Sequence, residues 1–260
     1  MKVVILAGGY GTRISEESQF KPKPMINIGG MPILWHIMKL YSHYGYNDFL
    51  ICAGYKQEVI KEYFSNYALY MSDITYDFTE SPSKVIVHNK HMEPWKVTVV
   101  DTGLNTMTGG RIKRVQDYIG NAPFMLTYGD AVGDININAL LDCHDKAGKI
   151  GTVSAYNFGQ SKGVLDIGDN GIVKEFREKS DLDGDLINIG FMVFEPEIFN
   201  YIDGDETVFE QYPMKHLAEI GQMNSYLHKG YWQCMDTLNE KKKLETLWES
   251  GNAPWKVWDD

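Results

Sequence analysis

Residues 1–25 read MKVVILAGGYGTRISEESQFKPKPM. Val3 to Ala7 is a short, β-branched apolar run that stops at glycine, the pattern of a strand buried on both faces. Gly8, Gly9 and Gly11 then leave the backbone bare, Thr12-Arg13 follows, and Lys21 and Lys23 stand among prolines. Bare backbone lets N–H groups approach an anion closely. Arginine adds a permanent planar charge with a fork of donors matched to phosphate oxygens, and lysine a mobile point charge. The prolines bar a regular helix around the lysines and stiffen an extended segment. A lone GGxG is no more than a tight turn; strand, GGxGTR and KPKP together point to a nucleoside triphosphate.

Two common phosphate loops do not fit. A Walker loop needs Gly-Lys-Ser/Thr, and Gly11-Thr12-Arg13 does not supply it. A dinucleotide fingerprint needs a small residue where Ile14 stands.

The rest of the chain is consistent with an α/β enzyme. Its 260 residues suffice for a sizeable core. The formal net charge of −10 disfavours nucleic-acid and membrane partners, so an anionic ligand needs a local positive cluster, which the first thirty residues provide. Cys52, Cys143 and Cys234 are odd in number and far apart, giving neither a disulfide framework nor a zinc spacing. The apolar start is too short for a signal peptide and no run is long enough to span a membrane, so a cytoplasmic location is expected.

After the first strand, residues 32–45 carry apolar residues at helical spacing, with Pro32 at the start and Gly45 at the stop. Residues 48–55 read as a strand and 56–67 as a helix, so a mainly parallel sheet with right-handed crossovers is expected. Residues 67–102 are β-rich and broken by Ser-Pro and Glu-Pro, and read as a β-arm insertion. A helix over 109–120 with Gly109-Gly110 at its start, a central strand ending at Gly129-Asp130, a helix near 137–148 and a strand at 150–156 follow. Asn170-Gly171 lies between alternating runs as a hairpin turn. A strand near 187–194, a helix at 214–221 and a last helix and tail over about 237–260 complete one domain spanning 1–260.

Asp130, at the carboxyl end of a strand, and Asp236, before a helix, are candidates for a hard-oxygen Mg²⁺ site. Each has a plainer reading: Asp236 as a helix cap, and Asp130 or its neighbour Asp134 as a turn residue. His88 and His91 lack a further ligand and read as surface residues; residues 166–171 and 181–185 do not fit a calcium loop and read as turns.

The segments LAGGYGTR, KPKPM, MPILWHIMKLY, EPWKVTVVDTG, TMTGGRIKRV, LTYGDAVGD, WQCMDTL and APWKVW, spread along the whole chain, resemble the sugar nucleotidylyltransferases, or NDP-sugar pyrophosphorylases. The resemblance implies a Rossmann-like nucleotidyltransferase fold, a mixed, mainly parallel sheet flanked by helices. It implies Mg²⁺ held by Asp130 and Asp236, with Arg13 and Lys23 stabilising the triphosphate and the transition state. Leu6, Ala7, Gly8, Gly9, Tyr10, Gly11, Thr12, Thr106, Arg111 and Gly129 would join Arg13 and Lys23 around the nucleotide. Glu178, Lys179 and Asn188 would hold the sugar phosphate. The closer match implies CTP and glucose 1-phosphate as substrates, a surface-polysaccharide dideoxysugar as the eventual product, and a homo-oligomer. Ala131 stands where the family pattern has glycine after the aspartate, and Cys234 where it has proline. A sugar 1-phosphate, with a second pKa near about 6, needs no general base to act as nucleophile. Three other readings stay open: the same chemistry with UTP, dTTP or another sugar, a nucleotide-linked oxidoreductase, and a catalytically silent nucleotide-binding regulator.

Overall fold

The computed structural model describes residues 1–79, 81–88, 92–157, 164–167, 172–177 and 186–259. At its centre is a seven-stranded sheet. Its order across the sheet is Met223–His228, Gly151–Asn157, Leu186–Phe194, Phe124–Tyr128, Lys2–Ala7, Asp48–Ala53 and Lys96–Asp101. Lys2–Ala7 pairs in parallel with both its neighbours, and the two edge strands are also parallel to theirs. Leu186–Phe194 alone runs against both neighbours, so the expected mixed, mainly parallel sheet is present.

The first strand is apolar without alternation because it is covered twice. Val3, Ile5 and Ala7 face one core, with Ile37, Met38 and Tyr41 of the Ile33–His43 helix. Val4 and Leu6 face the other, with Ile112, Val115 and Leu217. Each such side chain contributes about 1.5–3 kcal/mol by leaving water, so the strand is held from both sides up to the first glycine.

Two readings of the sequence are corrected. The insertion expected over 67–102 is not a single arm. It holds a helical turn, Tyr67–Tyr70, and a hairpin of Ile74–Asp77 with Lys84–Val87, whereas Lys96–Asp101 is the edge strand of the main sheet. The segment around Lys23 is not extended: Pro22 is, but Lys23–Met25 forms a short 3₁₀ turn. Met223–His228 carries no clean apolar alternation and was legible only as connecting chain, yet it pairs with Gly151–Asn157. Val164–Ile167 pairs with Val173–Arg177 as the Asn170-Gly171 signal implies, though that turn lies outside the described residues. Residues 181–185 and His91 also lie outside them; His88 is exposed and meets Thr75 Oγ1 at 3.0 Å.

The aromatic tail closes on the chain's own core. Trp255 and Trp258 are buried around His36, which also stacks edge-on against Trp248. Nε2 of His36 lies 2.8 Å from the Ile28 carbonyl and donates to it, leaving Nδ1 to accept from Trp255 Nε1 at 3.3 Å. Both ring nitrogens are thus used by the neutral tautomer. Burial lowers the His36 pKa to about 4. The unfolded chain takes up this proton near pH 6.5 and the folded chain does not, so stability is full above that pH and falls as pH drops towards 4. We expect a loss of up to about 3 kcal/mol over that interval, read by urea unfolding at each pH, and a clearly smaller loss in His36→Gln.

Candidate functional site

The carboxyl ends of Lys2–Ala7 and Phe124–Tyr128 lie side by side, and the chain leaves both into one crevice, the usual ligand position in an open α/β sheet. A cavity of about 600 Å³ opens there. Leu6, Ala7, Gly9, Tyr10, Gly11, Thr12, Arg13, Lys23, Thr106, Arg111, Gly129 and Asp130 line it, so nearly all the nucleotide residues expected from sequence share one wall. The sequence did not single out Asn105, Met107, Thr108 and Tyr128, which line it too. Tyr128 directly precedes Gly129-Asp130, a position that could have been noticed.

The loop needs its glycines for two reasons. Gly11 has φ +65°, and a Cβ there would lie 3.1 Å from Ser18 Cβ and 3.3 Å from Lys23 Cβ. Gly8 does not line the cavity; it makes room for Arg111, whose guanidinium would stand 2.2 Å from a Cβ at that position. Arg111 is no exposed helix charge. At 4% exposure it donates from Nη1 to Thr102 Oγ1 at 2.8 Å and to the Gly103 carbonyl at 2.7 Å, and from Nη2 to the Leu104 carbonyl at 3.2 Å. Gly109 and Gly110 face away from the cavity: both N–H groups donate to the Thr207 carbonyl, and the helix packs closely on residues 205–207.

Four charges meet at the cavity floor. Arg13 Nη1 lies 2.6 Å from Asp236 Oδ2, and Lys23 Nζ lies 2.6 Å from Asp130 Oδ2 while also bonding Asp236 Oδ1. Arg13 reaches in from solvent, its side chain 72% exposed, whereas that of Lys23 is 9% exposed. Burial alone would lower the Lys23 pKa; Asp130 and Asp236 more than offset it by charge and hydrogen bonding and hold it above the usual lysine value. Lys23 therefore stays an ammonium at neutral pH.

The two aspartates, 106 positions apart in sequence, are joined by a short antiparallel ribbon of Ala131–Gly133 and Trp232–Cys234. Met235 N–H donates to the Asp130 carbonyl at 2.9 Å. Ala131 and Cys234, the two departures from the family pattern, face each other across this ribbon with their own N–H groups turned outward, so either residue type fits without a lost ribbon bond. Asp236 is not a helix cap. Thr237 caps the Leu238–Glu249 helix and forms a capping box with Glu240. Asp134 is structural: its Oδ1 accepts from Tyr231 N at 2.6 Å and meets His228 Nε2 at 3.2 Å. Burial, with the carboxylates of Glu240, Asp236 and Asp130, pushes the Cys234 thiol up to about 12, which removes it as a nucleophile.

Two convergent carboxylates that already share one cation are a fitting donor set for Mg²⁺, which takes one or two protein carboxylates and completes its shell with phosphate and water. Among the described residues no group of three or more acidic, His or Cys side chains competes for a metal. Asn188 sits one strand away, its Oδ1 accepting from Gly190 N at 3.0 Å; Glu178 and Lys179 lie outside the described residues.

Known proteins were compared with this chain. A family model described as "Nucleotidyl transferase" matches residues 2–258. The chain is 53% identical to the glucose-1-phosphate cytidylyltransferase of Salmonella typhi over 260 residues, the whole of both chains. It is 27% identical to the mannose-1-phosphate guanyltransferase of Saccharomyces cerevisiae over 89% of this chain and 60% of that one. A solved UDP-glucose pyrophosphorylase complexed with UDP-glucose superposes with a TM-score of 0.70 at 17% identity, covering 96% of this chain and 98% of that one, which is a likeness of fold.

Lys23→Met strands two carboxylates beside each other. We expect it to cost about 2 kcal/mol in urea unfolding, below the range for a fully buried pair because both acids reach solvent, and Asp236→Asn in the same chain to recover most of that loss.

Proposed function

The chain belongs to the nucleotidyl transferase family, and on that footing we propose that it transfers the cytidylyl group of CTP to α-D-glucose 1-phosphate, giving CDP-glucose and pyrophosphate. The observation that carries the choice of substrates is the 53% identity over full length to a protein of that activity. The charge cluster at the cavity floor supports the chemistry.

An anionic oxygen of the sugar phosphate attacks the α-phosphorus of CTP. The bond from that phosphorus to the bridging oxygen breaks, and pyrophosphate leaves with the electron pair. Lys23, held as an ammonium, neutralises charge on the α-phosphate, and Arg13, exposed to solvent, meets the departing phosphates. The backbone of Leu6, Ala7 and Gly9 to Gly11, which lines the cavity, would lie against the nucleotide, and Thr106 and Arg111 would form the base wall with Gly129. Asp130 and Asp236 would hold Mg²⁺, which when bound supplies Lewis-acid charge on the reacting phosphate. Glu178, Lys179 and Asn188 receive the sugar phosphate. No proton has to be removed, so the reaction needs no Ser/His/Asp or Cys/His arrangement.

We further read residues 1–260 as one domain, place the reaction in the cytoplasm with the CTP pool, and assign a homo-oligomer. The hairpin supports the last point. Tyr76, Phe78, Val85 and Ile86 are exposed on it, an apolar surface that a second copy would cover. No helix among the described residues is long and apolar enough to cross a membrane.

The test is pyrophosphate release over a grid of CTP, UTP, dTTP, ATP and GTP against several sugar 1-phosphates, with and without Mg²⁺. The expected result is Mg²⁺-dependent release with CTP and glucose 1-phosphate. Preference for another pair would overturn the substrates and leave the mechanism, and folded protein that binds nucleotide without turnover would favour the regulator. In the same assay Asp130→Asn and Asp236→Asn should each lower kcat by about 10³-fold or more while the folded state persists.

A further inference from the structure

One acid stands beside the cavity without a part in the chemistry above. Glu210 is half-buried in the segment that leads into the Tyr212–Glu219 helix, and it does not line the cavity. Its two oxygens take two different hydroxyl groups that do. Tyr128 Oη donates to Oε1 at 2.6 Å, and Thr108 Oγ1 donates to Oε2 at 2.6 Å. An ionised carboxylate only accepts, so both hydroxyl protons are committed to Glu210 and both oxygens are left as acceptors towards their other neighbours.

The ring of Tyr128 packs on Gly190, whose N–H donates to Asn188 Oδ1 at 3.0 Å. Thr108 Oγ1 accepts from Phe209 N at 2.9 Å and opens the Thr108–Arg114 helix, which carries Arg111. The ring of Tyr128 is itself clamped: a Cβ on Gly190, which has φ +85°, would stand 2.3 Å from Tyr128 Cδ2. Hydrogen bonds therefore join Tyr128, Glu210 and Thr108, and the Tyr128 ring continues through its contact with Gly190 to Asn188, linking four separate parts of the sequence.

We propose that Glu210 is a positioning residue that sets the spacing between the sugar-phosphate side and the base side of the cavity, acting through Tyr128 on Asn188 and through Thr108 on the helix of Arg111. The inference rests on the cytidylyl-transfer reading for its substrates and on geometry for its residues. A group that only stabilised the fold would lower the melting temperature and move the two substrates alike or not at all. A group acting through two separate hydroxyls moves them by separable routes.

The experiment is steady-state kinetics on Tyr128→Phe, Glu210→Ala, Glu210→Gln and the Tyr128→Phe/Glu210→Ala double variant, with melting temperatures recorded. Tyr128→Phe should raise KM for glucose 1-phosphate about tenfold, the value of one lost hydrogen bond, and leave KM for CTP within about twofold. Glu210→Ala should raise both by about tenfold. Adding Tyr128→Phe to it should change the sugar-phosphate KM by less than about twofold, because the two act as one unit. Glu210→Gln, which keeps one acceptor oxygen, should spare one substrate more than the other. Both KM values unchanged in folded Glu210→Ala, or full additivity in the double variant, would overturn the proposal. If the wild-type protein prefers another pair, the same split is expected with that pair. If it turns over none, calorimetric titration with CTP and with CDP-glucose reads the relay alone: Glu210→Ala should weaken CTP about tenfold, and unaltered binding of both would overturn it.

Discussion

The site depends on holding two carboxylates close together while keeping each of them partnered. Left alone in a partly buried crevice, Asp130 and Asp236 would repel each other, and desolvation would favour protonating one of them. Two devices prevent this. The Ala131–Gly133 and Trp232–Cys234 ribbon ties the backbones on either side, so the acids cannot drift apart. Lys23 then lies between them, and Arg13 takes the outer oxygen of Asp236. The ribbon is fastened at its far end by Asp134 on Tyr231 N, and Gly133 gives it the close approach it needs, since a Cβ there would stand 2.8 Å from the Tyr231 carbonyl.

The same constraint explains the shape of the opening loop. Lys23 reaches the acids from a 3₁₀ turn, and the Gly11 turn lies directly against its side chain. Gly8 and Gly54 leave space for a guanidinium that has been drawn onto backbone carbonyls, where Arg111 becomes a wall. The glycines therefore serve two cations as much as they serve the phosphate.

The sequence made legible what neighbouring residues decide. The buried first strand, the Ile33–His43 helix with its apolar stripe, and the glycine-to-cation loop all follow from short-range pattern, and the structure brings those loop residues to one cavity. It was not legible that Lys96–Asp101 extends the main sheet, because a half-exposed edge strand and a free hairpin strand share the same β-rich composition. Arg111 read equally well as a surface charge, since its acceptors are carbonyls, which carry no sequence signature. Glu210 was invisible for a related reason. Its partners stand 82 and 102 positions away, and only the fold brings the three together.

Lys23 and Arg13 are both already engaged with acids, which bears on how a protein of net charge −10 receives a polyanion. Unpaired, Lys23 and Arg13 would attract phosphate more strongly, but a desolvated lysine would lose its proton more easily and the acids would be left uncompensated. Paired, the formal charges of the four groups sum to zero, and Lys23 keeps its proton. In the proposed function, phosphate binding by these residues would be an exchange of acceptors, carboxylate oxygen for phosphate oxygen. The two carboxylates are hard oxygen donors already brought together, a donor set of the kind a divalent cation takes.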